Sequence, residues 1–175
     1  MHQAEEDLLV FAAQDGNRKA LNILCRRYQA PLLRYAYSVS KDADLAHDAV
    51  QDAWVKLSKN IRKLEDPRAL RTWLYQLVRW SSLDILRKHN KLAEYNELFD
   101  EELHSNLDEQ DEVLEGDNLK TLIKRLPIIE KQIIQLFYID ELNLTEIANI
   151  LDVPIGTVKS RLNRARNLLK EKFIS

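Results

Sequence analysis

The chain has 175 residues, a formal net charge of −2, one cysteine, and few helix-interrupting residues, with 3 Gly and 4 Pro. One cysteine excludes an internal disulfide and fits a reducing compartment, and no run of 18 apolar residues marks a membrane span. With 45% hydrophobic residues and an acidic start at Glu5, Glu6 and Asp7, unlike a secretion signal, the composition predicts a soluble, cytoplasmic, helical protein of one large domain or two small ones.

The near-neutral total hides a segregated charge. Residues 61–91 hold eight basic and three acidic side chains, residues 92–119 hold eleven acidic and no basic ones, and residues 154–175 hold six basic and one acidic. Two basic segments flanking an acidic one predict two places able to meet phosphate.

The first predicted helix places Leu8, Leu9, Phe11 and Ala12 in an apolar stripe that stops at the Asp15-Gly16-Asn17 turn. The second carries Ala20, Leu21, Leu24, Tyr28, Leu32 and Tyr35 at helical spacing. Pro31 inside that run predicts a kink or an end. Cys25, among Leu21, Leu24 and Tyr28, reads as a small core residue rather than a reactive thiol. Asp42 and Asp44 suit a helix start, and Leu45, Ala49, Ala53, Trp54 and Leu57 form the inner face of the helix that follows.

After a charged loop from Asn60 to Asp66, Pro67 opens a further helix. One side of it carries Leu70, Trp73, Leu74, Leu77 and Ile85, and the other Arg68, Arg71, Tyr75, Arg79 and Ser82. Cations interleaved with an aromatic suit single-stranded DNA. Lys63 and Asp66 in the loop are candidates to border a pocket for a flipped base, while Trp73 and Trp80 read mainly as core.

Residues 92–117 read as an acidic linker with thinly spread apolar residues. The 28 residues from 92 to 119 would span about 30 Å as a flexible coil and roughly 90 Å fully stretched. Residues 118–175 return to helical patterning. Leu119, Leu122, Ile123 and Leu126 make one stripe, stopped by Pro127, and Ile129, Ile133, Leu136 and Phe137 make the next.

The strongest pattern lies near the C-terminus. Asn143 and Glu146 are spaced as a capping box, and Leu144, Ile147, Ala148 and Leu151 supply a buried face. A short turn, Asp152-Val153-Pro154, leads into a second helix. At 100° per residue Val158, Leu162, Ala165 and Leu169 cluster on one side. Thr157, Ser160, Asn163, Arg164 and Asn167 lie opposite, flanked by Lys159, Arg161 and Arg166. Outward hydrogen-bonding groups with cations at the edges are what a helix reading the major groove requires.

From Leu126-Pro127 through Phe137, and then from Leu144 to Arg166, the chain resembles region 4 of the extracytoplasmic-function (ECF) sigma factors. Residues 44–54 resemble their region 2 helix that docks on core RNA polymerase, and Trp73 to Leu77, leading to Asp84 and Arg87, the part that opens and reads the −10 element. The resemblance implies an all-α protein: region 2 at 1–91 and region 4 at 118–175, joined by the acidic linker at 92–117. It implies an alternative sigma factor of the kind used in stress responses, not an enzyme and without cofactor. Its partners would be core RNA polymerase, promoter DNA and an anti-sigma factor, with no membrane insertion.

By the same resemblance Thr157, Lys159, Ser160, Arg161, Asn163, Arg164 and Arg166 would meet the −35 duplex. Lys63, Asp66, Arg68, Arg71, Trp73, Tyr75 and Arg79 would meet the unpaired −10 strand, and Asp48, Gln51 and Asp52 would dock on core polymerase. Three positions depart from the family pattern: Gln76 where many relatives have Arg, Trp80 where many have Asn, and His47 in place of an acid.

A dimeric helix-turn-helix regulator is the main rival reading, and predicts a palindromic site. A metal-dependent helical enzyme rests on the single Glu-x-x-His pair Glu101/His104, where a di-metal bundle needs two. No Gly-rich phosphate loop, nucleophile elbow or Cys/His cluster is present in the sequence.

Overall fold

A computed structural model describes residues 2–104 and 118–174, with the side chains of 101–104 outside the description. It divides into two units, Met1–Leu92 and Ala93–Ser175. Among the described residues there are nine α-helices and no strand, and no helix is long and apolar enough to cross a membrane.

In the first unit α1 (Gln3–Gln14), α2 (Arg18–Ser40), α3 (Ala43–Asn60) and α4 (Leu70–Lys88) pack around one core. Leu24, Leu32, Tyr35, Leu57, Leu70 and Leu74 are each fully buried. The helix starts follow from local chemistry. The Asn17 side chain accepts from Ala20 N at 3.1 Å, and Asp42 Oδ1 accepts from Asp44 N and Leu45 N. Lys41, left-handed at φ 54°, ends α2.

Two local expectations fail. α2 runs through Pro31 from Arg18 to Ser40. Its packing against α1, α3 and α4 holds the helix past the missing N–H. On α1 the buried edge is Val10 and Ala13, whereas Leu8 and Phe11 are exposed, so the expected stripe is out of phase. Glu6 sits on the inner side, where it accepts from Tyr28 Oη at 2.6 Å. The end of α1 is tied to the loop after α3, because Gln14 Nε2 donates to the carbonyls of Ile61 and Leu64 at 2.9 and 2.7 Å. Single 3-10 turns at Ile61–Lys63 and Pro67–Ala69 carry the chain into α4.

The second unit holds α5 (Leu92–His104, from its second residue), α6 (Leu119–Lys124), α7 (Ile128–Ile134), a π turn at Gln135–Ile139, α8 (Leu144–Leu151) and α9 (Ile155–Ile174). Leu122, Ile129, Ile133, Leu136, Ile147 and Val158 fill its core. Within 92–117, read as a linker that includes transient helix, the first part is structured. Residues 92–104 are helical, Tyr95 and Phe99 are buried and stacked at 5.9 Å, and Gln132 Nε2 of α7 donates to Tyr95 Oη at 3.5 Å. Two aromatics four residues apart supply the apolar face that the acidic composition obscures. A 13-residue helix spans about 20 Å, roughly half of what the same residues cover fully stretched. The rest of that stretch, 105–117, lies outside the described residues, as do the side chains of Glu101 and His104.

Candidate nucleic-acid interface

The pair α8–α9 is built as its residues dictate. Asn143 Oδ1 accepts from Glu146 N, and Glu146 Oε2 accepts from Asn143 N, both at 2.8 Å, so the expected capping box is formed. Asp152, left-handed at φ 55°, stops α8. The Pro154 carbonyl then accepts from Thr157 N and Val158 N to start α9.

α9 buries Val158, Leu162 and Ala165, with Leu169 half-buried. Lys159, Ser160, Asn163, Arg166 and Asn167 are exposed, and Thr157 is half-exposed. Ser160 Oγ donates to the Thr157 carbonyl at 3.1 Å, a bond within the helix that a rotating hydroxyl can exchange for a ligand. Arg166 lies against the π turn: its Nε donates to Tyr138 Oη at 2.6 Å, and its guanidinium sits 5.5 Å from the centroids of both Phe137 and Tyr138.

Arg161 departs from the groove-facing set. It is buried, and its Nη1 donates to Glu130 Oε1 of α7 at 3.1 Å. Arg164 is half-buried, with Nε 3.9 Å from the same oxygen. Both lie on the α7 side of α9, about 60° and 120° from Val158 by helical angle. Arg161 therefore joins the core pairing rather than the surface. Glu130 escaped the sequence reading because a glutamate beside Ile129 and Ile133 reads as surface charge.

α4 departs further. Tyr75 is 1% exposed and packs on Tyr35 with centroids 5.6 Å apart, and Arg79 is 7% exposed with Nη1 donating to Tyr35 Oη at 3.3 Å. Ser82 is buried as well. The Tyr75 and Arg79 side chains both lie against Tyr35 of α2, so these two are corrected to core residues. Arg71 and Trp73 are half-buried, while Lys63, Asp66 and Arg68 are exposed on the loop before α4. Asp66 Oδ1 accepts from Arg68 N at 2.9 Å and so caps the turn that starts the helix. Trp80 is 57% exposed, contrary to the core assignment. It lies seven residues from Trp73, on the same face.

On α3, Asp48 and Gln51 are exposed beside His47. Asp52 is tied down: Lys56 Nζ lies 2.8 Å away and Ser81 Oγ of α4 donates to it at 2.8 Å. The Lys56 ammonium, followed by the Ser81 hydroxyl, holds the Asp52 carboxyl below its ordinary range despite some desolvation. Asp84 is likewise lowered, first by Lys88 and then by Arg87. Cys25 is half-buried rather than sealed in the core, and that partial burial raises its thiol. Among the described residues no group of three or more His, Cys, Asp or Glu side chains can hold a metal ion.

A helical unit carrying an exposed polar face on a capped helix-turn-helix, in one chain with a four-helix unit, defines a class of DNA-binding transcription proteins. Comparison with known proteins narrows the class. The model of Sigma-70 region 2 matches residues 24–92, and that of Sigma-70, region 4 matches residues 116–169. The RNA polymerase sigma factor SigV of Bacillus subtilis is 30% identical, covering 87% of this chain and 90% of its own length. The ECF RNA polymerase sigma-E factor of Haemophilus influenzae is 29% identical, covering 98% of this chain and 96% of its own.

Two solved structures share the fold. CnrH in complex with the cytosolic domain of CnrY superposes with TM-score 0.63 at 22% identity, covering 95% of each chain. The sigma factor RpoE of Bartonella quintana, in complex with the anti-sigma factor NepR, gives 0.61 at 26% identity, covering 89% of this chain and 97% of its own. The chain belongs to the ECF sigma factors, the alternative sigma factors of RNA polymerase.

Proposed function

We propose that α9 reads the −35 duplex from the major groove through Ser160 and Asn163, with Lys159, Thr157 and Arg166 at its margins and Arg164 at its rim. The observation that carries this reading is the division of α9 itself: Val158, Leu162 and Ala165 are sealed in the core, while Ser160, Asn163 and Asn167 are exposed along the other side. Asparagine and serine present paired donors and acceptors that match base edges, and lysine tracks phosphate.

The unpaired −10 strand meets the loop residues Lys63, Asp66 and Arg68 and the half-exposed Arg71 and Trp73. Core polymerase docks on α3 through Asp48 and Gln51, with Asp52 positioned from α4. The protein acts in the cytoplasm, where its polymerase is, and performs no chemistry of its own. Because RpoE of Bartonella quintana is held by an anti-sigma factor, a protein regulator that covers this chain is part of the proposal.

The test is promoter binding with and without purified core polymerase, followed by run-off transcription on a promoter library. Specific binding and transcripts that require both components support the reading. Equally tight, specific operator binding by the free protein contradicts it.

A further inference from the structure

We propose that Gln14 is a positioning residue that holds the loop after α3 in the shape that meets the unpaired −10 strand, an inference that rests on Lys63 and Asp66 reading that strand. Gln14 is the last residue of α1 and is half-buried. Its Nε2 donates to the carbonyls of Ile61 at 2.9 Å and Leu64 at 2.7 Å. In the other direction Arg62 Nε donates to the Gln14 carbonyl at 3.1 Å. Three hydrogen bonds thus fasten residues 61, 62 and 64 to the end of α1, on both sides of Lys63.

The loop depends on such links. Between Ile61 and Leu70 no side chain is buried, so apolar packing does not set the path of the chain there. Leu64 leaves the 3-10 turn in an extended conformation, at φ −73° and ψ 110°. At the far end Asp66 Oδ1 accepts from Arg68 N at 2.9 Å. Lys63 and Asp66, both exposed, are therefore carried on backbone held by polar bonds on either flank. An amide whose two hydrogens meet two carbonyls fixes direction as well as distance.

α1 has its own anchors. Val10 and Ala13 are buried, and Tyr28 Oη donates to Glu6 at 2.6 Å, which seats the helix on α2. What Gln14 adds falls on the loop. A loop already in its bound shape takes up an unpaired base without the ordering cost that a mobile loop carries. It also presents its polar groups to that base in one geometry rather than many.

The experiment uses the full chain with core polymerase. Run-off transcription is measured on templates carrying each base pair at every −10 and every −35 position. Gln14→Met keeps the length of the side chain and removes both donors. It is expected to lower discrimination within the −10 element about fivefold, the worth of one or two ordinary hydrogen bonds, with −35 discrimination unchanged. The loss is partial because the Arg62 bond is made to the backbone and survives.

Asn17→Ala controls for stability. It removes the cap of α2, where Asn17 Oδ1 accepts from Ala20 N at 3.1 Å, and leaves the links of Gln14 in place. A lower melting temperature in Asn17→Ala with −10 discrimination intact supports the positioning role. Matched losses of −10 discrimination in Asn17→Ala and Gln14→Met, or equal losses at −10 and −35 in Gln14→Met, make Gln14 a structural residue and overturn it. Wild-type discrimination in Gln14→Met where Lys63→Ala has lost it overturns the inference alone. If Lys63→Ala and Gln14→Met both keep wild-type discrimination, the −10 reading of the loop fails first, and the inference falls with it.

Discussion

Helices α4 and α9 look alike on a helical wheel, each with an aliphatic side and a side of cations and hydrogen-bonding groups, yet they present opposite outcomes. On α9 the polar side is exposed at Ser160 and Asn163. On α4 the corresponding residues Tyr75, Arg79 and Ser82 are buried. The difference is how much of each helix's circumference its neighbours cover. α9 is covered by α7, α8 and α6 along its aliphatic side, whereas α4 is embraced by α2, α3 and the Pro67 turn. A wheel states which residues share a face but not how many faces are covered. A basic and aromatic row is a surface only where no further helix packs on it.

Tyr75→Ala breaks the comparison most strongly. If Tyr75 is core, its loss costs about 3–5 kcal/mol in the first unit, read as a lower urea midpoint of the full chain. A ring serving only to stack on bases would leave that midpoint unchanged.

Asn163→Ala is its counterpart on α9. It leaves unfolding within about 0.5 kcal/mol of wild type and removes about 1–3 kcal/mol of base discrimination at one −35 position, measured by run-off with core polymerase.

Asn143→Ala sharpens the account of why α9 is well placed. It deletes the capping box at the start of α8 and costs about 1 kcal/mol of stability by thermal melting, with base preference retained.

The smallest effect concerns Asp52, whose carboxyl is lowered by Lys56 and Ser81. A carboxylate whose folded pKa lies below its unfolded value contributes stability that is complete above the unfolded value. That contribution is lost as pH falls through the folded one. Because the pair is partly exposed, Asp52→Asn removes only a few tenths of a kcal/mol at neutral pH. The gap to wild type closes below about pH 4, as measured by urea titrations across that range.

The legible parts of the sequence were those governed by local chemistry. The Asn143–Glu146 box, the Asp42 cap, the Pro127 stop and the Val158, Leu162, Ala165 stripe depend on residues within a few positions of one another. The illegible parts depended on distant partners. Pro31 is tolerated because three helices surround α2. Arg161 is claimed by Glu130, 31 residues earlier. Arg79 is taken by Tyr35, 44 residues earlier. Tyr95 and Phe99 turn an acidic stretch into a packed helix through contact with α7. In the candidate site, spacing outlined the exposed polar side of α9 but not which of its arginines the core would take.

The most direct measurement is photo-crosslinking in the assembled complex of this chain, core polymerase and promoter DNA. A photoreactive phenylalanine analogue is placed at Asn163 in one variant and at Tyr75 in another. The account predicts crosslinks from position 163 to bases of the −35 element and none to DNA from position 75. Silence at 163, or a strong crosslink from 75 to the −10 strand, would contradict it.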